Sequence, residues 1–123
     1  MNAFELLISG SLHPVESVAL EPVTHLTRWQ LMKVRHADGG FSRHLIGWAG
    51  YDGRTSSDIT AIDVQRLRAT SSSGRLYQLD GPGFDSDANW VFERWLHINQ
   101  CQFHSDQTKA LLKRHEMLAR SPN

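Results

Sequence analysis

Between Thr27 and Leu79 the chain is broken at short, regular intervals by turn-forming residues, and this punctuation most narrows what it can fold into. Arg28 to His36 (RWQLMKVRH) is rich in large apolar and long side chains and ends at Ala37-Asp38-Gly39-Gly40, a hairpin signal. Phe41 to Ala49 follows and stops at Gly50-Tyr51-Asp52-Gly53. Ser57 to Asp63 alternates apolar and polar positions, and Arg66 to Ser71 and Arg75 to Leu79 flank Ser72-Ser73-Gly74. Connections this short join only antiparallel neighbours, so the pattern predicts a five-stranded antiparallel meander over 27–80.

Asp80-Gly81-Pro82-Gly83 ends the strand region, because proline cannot donate to a ladder and glycine accepts positive φ. Asp85, Ser86 and Asp87 then offer N-caps and favourable negative charge at a helix start. The helix expected over Ala88 to Asn99 (ANWVFERWLHIN) sets Val91, Trp95 and Ile98 on one stripe, with Ala88 and Phe92 beside it. A second helix is expected after Ser105, over Gln107 to Ala119, with a thinner apolar seam of Leu111, Met117 and Leu118. The fold class is therefore α+β, a five-stranded meander covered by a Trp-rich helix with a second C-terminal helix. An open sheet with one helix-covered face is the preferred description, and a small SH3-like barrel is the alternative. Residues 1–123 read as one domain, with 1–26 its least legible part, 27–80 the meander and 85–119 the helical part.

Thirteen Lys/Arg balance thirteen Asp/Glu, which removes the plainest electrostatic argument for a nucleic-acid or membrane partner. Cys101 is the only cysteine, so an intramolecular disulfide is excluded and a reducing, cytoplasmic setting is expected. The opening MNAFELLISGSLHPVES has neither the basic start nor the apolar run of a signal peptide, and no stretch reaches membrane-spanning length. Trp29, Trp90 and Trp95 are expected in the core, and Trp48, beside Tyr51, is expected to be partly exposed.

The ordered segments FSRHLIGWAG, DGRTSSDITAID, SSSGRLYQLDGPG and DANWVFERWLHIN give the chain a resemblance. It is similar to a widespread group of small uncharacterised bacterial proteins associated with mobile elements. In that group an S-R-H-L-x-G strand, an R-x-S-S-x-I segment, an S-G-R-x-Y strand and an R-W-x-x-x-N helix recur in this order. The likeness covers residues 29–99; Thr55 stands where the pattern has Val, and Ser72-Ser73 where it has Arg with Ser. The resemblance implies a gene-cassette cargo protein, a context that carries no catalytic role with it.

Three constellations carry candidate chemistry. His97, Cys101 and His104 are spaced so that a helix continued through them would present all three to one soft metal ion, with His115 a further donor from the next helix. Three ligands at a fraying helix end fall short of a structural zinc site, so no metal and no cofactor are expected. His44 with Arg43 or Arg75, and Tyr77 nearby, is the set for a nuclease-type site, although adjacent strand residues point to opposite faces and would separate Arg43 from His44. Trp48, Tyr51 and Arg54 form the candidate binding set, as a stacking and cationic surface for nucleic acid. Without a coherent catalytic set, the sequence favours a non-enzymatic binding module, with nucleic-acid binding or a small nuclease as the alternative. The Leu111 and Leu118 seam of the last helix predicts a homodimer.

Overall fold

The computed structural model describes residues 23–120. The expectations placed on 1–22 lie outside these residues. Seven strands and two helices follow one another as β1 (Thr24–Arg35), β2 (Phe41–Ala49), β3 (Asp52–Thr55), β4 (Ile59–Asp63), β5 (Arg68–Ser71), β6 (Leu76–Leu79), α1 (Ser86–Ile98), β7 (Gln102–Asp106) and α2 (Thr108–Arg120).

The α+β class holds, but the sheet is richer than a five-stranded meander. Its order is β3-β2-β1-β6-β5-β4 with β7 on β1, and no ladder joins β3 to β4, so it remains unclosed. The departure comes from β1, which takes part in two half-sheets. Its first residues run parallel to β6, Thr24 opposite Tyr77 and Leu26 opposite Leu79. Its later residues pair antiparallel with β2 on one side and with β7 on the other. A bulge at Arg28 and Trp29 separates the two parts, since three steps from Thr27 to Gln30 match two from Trp48 to Ile46. Arg28 occupies the left-handed region (φ 47). Gly47 lies against the bulge, where a Cβ would sit 2.9 Å from the Thr27 carbonyl oxygen and 3.1 Å from Trp29 Cα, so only glycine fits.

Two strands escaped the sequence reading. β3 starts inside the segment taken as a turn, because Gly50 (φ +65) lets the chain reverse immediately before it. β7 occupies the link left between the two expected helices, the stretch that a continued first helix would have needed for the His97, Cys101 and His104 set. Asn99 closes α1 with an amide hydrogen bond to Trp95 O, and Gln100 (φ 54) turns the chain back toward β1.

Because side chains alternate along a strand, β1 and β2 bury both faces. Leu31 and Leu45 join Leu26, Trp29, Ile59, Ala69, Tyr77, Leu79 and Leu111 in the larger core. Met32, Val34 and Ile46 meet Phe92, Cys101, Trp95 and Leu96 in the smaller one, under α1. The buried stripe of α1 is Ala88 and Phe92, with Trp95 and Leu96 partly buried beside them. The expected Val91, Trp95 and Ile98 stripe is thus rotated: Ile98 at the last turn is 69 % exposed and Trp90, expected in the core, is 61 % exposed. Asp85 caps α1, accepting from Ala88 N at 2.9 Å, and forms an ion pair with Arg28 at 2.9 Å.

Ser105, paired with His104, does not cap α2; Asp106 Oδ1 accepts from Thr108 N at the helix start, and the Thr108 hydroxyl in turn accepts from Leu31 N at 2.9 Å. These bonds fix α2 on its own sheet. Leu111 is buried in the larger core, whereas Met117 and Leu118 are exposed, so the seam drawn through Leu111 and Leu118 is not one available surface. Among the described residues no helix is long and apolar enough to cross a membrane.

Gly53 supports α1 by having no side chain, since a Cβ there would lie 2.9 Å from the Cα and N of Ala88. Gly53→Ala should cost about 1–3 kcal/mol, because helix backbone must move. Gly81→Ala, where a Cβ meets nothing within 4 Å, should be near neutral. Urea midpoints compare the two, and equal midpoints would show that α1 does not rest on β3 as described.

Candidate functional site

The period of two along β2 sorts its side chains into two environments. Leu45 packs in the larger core, and Arg43, on the same face, lines a groove between the sheet and α2; Ser42 and His44 lie toward α1. The groove encloses about 550 Å³ and has an apolar floor of Leu31, Ile62, Val64 and Leu111. Arg43 from β2 and Arg114 from α2 border it, and neither guanidinium makes an ion pair among the described residues.

A smaller cleft continues past Arg43 to Lys33, Phe41, Ser42 and Asp58. Lys33 and Arg43 are direct partners across the β1–β2 ladder. Like charges directly opposite on one sheet face repel, so folding alone does not favour this pairing. Lys33 relieves part of the repulsion by placing its ammonium 4.6 Å from the centre of the Phe41 ring. Asp58, the acid of this cleft, accepts from the backbone amide of Arg43 at 3.1 Å. The combined surface offers cations above an apolar floor, an arrangement suited to an anion with a hydrophobic body.

The other face holds a closed chain of hydrogen bonds. His44 is 3 % exposed, its ring centre 4.3 Å from that of Trp95. Its Nδ1 lies 2.8 Å from Ser56 O and its Nε2 2.6 Å from Ser42 Oγ. Ser42 Oγ is also 2.6 Å from His36 Nε2, and His36 Nδ1 is 3.3 Å from Cys101 Sγ. Burial pushes the His44 imidazole below its ordinary 6.5, outweighing the Ser56 carbonyl and Asp58, which act the other way. Burial, helped by Asp38, pushes the Cys101 thiol up.

The sequence-predicted sites are dispersed accordingly. Arg43 and His44 lie on opposite faces, and both ring nitrogens of His44 are engaged. Arg75 donates to Thr24 Oγ1 at 3.2 Å. Tyr77 is buried in the larger core, its phenol pushed up by burial against the opposing pull of the Arg54 and Arg75 charges. Trp48, Tyr51 and Arg54 do not make one platform: Tyr51 projects at 94 % exposure, Trp48 lies under the Arg28 guanidinium at 5.4 Å, and the Arg54 charge acts on the buried Tyr77 phenol.

His97, Cys101 and His104 also part, because α1 ends before Cys101. His104 pairs with Ser105 and stacks edge-on against Phe41, and His115 reaches the Val64 carbonyl. Among the described residues no three His, Cys, Asp or Glu side chains gather as a metal site. The sequence does not single out Lys33 or Arg114 as site residues; the like-charged pair of Lys33 with Arg43 becomes visible only once the β1–β2 register is known.

Protein-family models, curated proteins and solved structures offer no match to this chain.

The buried His44 makes a pH prediction. The folded chain holds this proton less readily than the unfolded chain, so His44 contributes stability that is present above about pH 6.5 and lost as pH falls below it. Urea midpoints should therefore fall on acidification through this window, well above the range in which Asp63 and Asp106, both held below the usual 3.8, begin to protonate. His44→Gln should flatten that slope, and an unchanged slope would remove His44 as its source.

Proposed function

We propose that this chain is a non-enzymatic binding module whose groove between the sheet and α2 takes a small anion with an apolar body. The observation that carries the reading is that Arg43 and Arg114, from two different elements, line one groove with Leu31, Ile62, Val64 and Leu111. Each guanidinium offers planar paired donors suited to a carboxylate, sulfonate or phosphate. The repulsion between Lys33 and Arg43 is relieved when an anion enters between them, so binding and local stability favour the same occupied state. A role as cargo of a mobile element, drawn from the resemblance of residues 29–99, belongs to the same proposal and is compatible with any ligand of this chemistry.

Naphthalene-2-sulfonate and octanoate are suitable probes, titrated while backbone and methyl NMR shifts are followed. Shifts should concentrate at Leu31, Ile62, Val64 and Leu111 and saturate at one probe per chain. Arg43→Gln and Arg114→Gln should each weaken binding by roughly tenfold or more, as expected for losing a charge-assisted hydrogen bond. Equal affinity in both variants, or shifts centred elsewhere, would overturn the assignment.

A further inference from the structure

Along β4 the groove follows the edge of the strand and not one of its faces. Successive strand residues point to opposite sides, yet Thr60, Ala61 and Ile62, three in a row, all line it. β4 pairs with β5 on one side and, among the described residues, with no strand on the other. Thr60 and Ala61 are exposed, and neither charge nor proline guards the middle of the strand. Such an edge presents backbone donors and acceptors to any chain that lies along it. The other wall is α2, through Gln107, Ala110 and Arg114.

We propose that the occupant of this groove is an extended acidic peptide that adds to β4 as a further strand, an inference that rests on the anion-binding reading of the same groove. The peptide backbone pairs with the β4 edge, its apolar side chains pack on Ile62, Val64 and Leu111, and its carboxylates meet Arg43 and Arg114. Charge selects the partner, because the two formal charges lining the groove are both positive. Size agrees with a short segment: β4 has five residues, a span of about 17 Å. The bulge between Ile59 and Ala61 bends the edge, which impedes flat pairing with a second copy of β4 and leaves a short free chain able to follow it.

A single anion needs only the guanidinium groups and the apolar floor. A peptide also uses the unpaired backbone of β4, and the two modes are separated by what the backbone contributes.

The probe is the blocked peptide acetyl-Ser-Glu-Ile-Glu-Val-Ser-amide, titrated into the full chain and followed by NMR shifts and amide exchange. One peptide per chain should bind, with shifts at Ile62, Val64 and Leu111 and slowed exchange of those amides within 60–62 that do not bond β5. Replacing both glutamates of the peptide by lysine should weaken binding by roughly tenfold or more. N-methylation of alternate peptide nitrogens is made in both registers, and the version whose methyl groups face β4 should lose roughly tenfold or more. Ala61→Glu, at an exposed position, should weaken the parent peptide by a similar factor and leave the urea midpoint unchanged. Naphthalene-2-sulfonate is titrated alongside. Sulfonate binding without peptide binding would overturn the strand inference alone, whereas failure of both would overturn the groove as an anion site as well. Equal affinity for the lysine peptide or for both methylated versions would also overturn the inference. So would outward β4 amides already protected in the free chain, by its own residues or by a second copy.

Discussion

Everything in this fold depends on the bend of β1 at Arg28 and Trp29. The extra residue there turns one strand from a parallel partner of β6 into an antiparallel partner of β2 and β7. Trp29, completely buried, fastens the bend by donating its indole N–H to Asp80 O at 2.6 Å. The Arg28 amide donates to Gly81 O, and the Gly83 amide to Trp29 O, so the segment after β6 is tied to the same point. The Arg28 side chain reaches Asp85, the residue that caps α1. Left-handed backbone at a non-glycine residue costs roughly 1 kcal/mol or more. Several hydrogen bonds and a full indole offset that cost, and the bend thereby sets the angle between the half-sheets and the place where α1 starts.

That angle creates the functional surfaces. With the sheet bent, β4 is brought beside β2, Asp58 Oδ1 meeting the Arg43 amide, and α2 closes the groove from the side. The alternation along β2 then gives adjacent residues opposite fates. Arg43 meets water and an apolar floor, whereas His44 one position later is sealed under Trp95 in a network whose polar atoms are all used. A buried network of this kind is stabilising only when complete, and the pairing of Ser42 with both histidines completes it. The groove carries the opposite balance, with Lys33 and Arg43 facing one another and two unpaired guanidinium groups among the described residues.

Local signals placed β2, β4, α1 and α2 close to their observed positions, because hairpin glycines, an Asp-Ser-Asp cap and helical periodicity act over a few residues. What escaped is nonlocal. The parallel pairing of β1 with β6 joins residues more than fifty apart, and nothing in Thr24-His25-Leu26 announces it. β7 was hidden because the turn that leads into it is made by Gln100 in the left-handed region, with no glycine or proline to announce it before QFHSD. The error in the α1 stripe has the same origin: Val91, Trp95 and Ile98 and Ala88, Phe92 and Trp95 are neighbouring stripes, and only the approach of Ala88 to Gly53 selects between them. For the site, Arg43, His44 and Cys101 were all noticed, but in the wrong company. Their partners Arg114, Ser42 and His36 are set by register and by the bend, which no short window of sequence contains.

The claim that one bend organises both half-sheets is tested most directly by amide hydrogen exchange on Trp29→Leu, which keeps apolar bulk and deletes the indole bond to Asp80. The account predicts that protection falls together in Phe41–Ala49 of one half-sheet and in Arg68–Ser71 and Leu76–Leu79 of the other. Loss confined to one half, with the other protected as in the wild type, would contradict it.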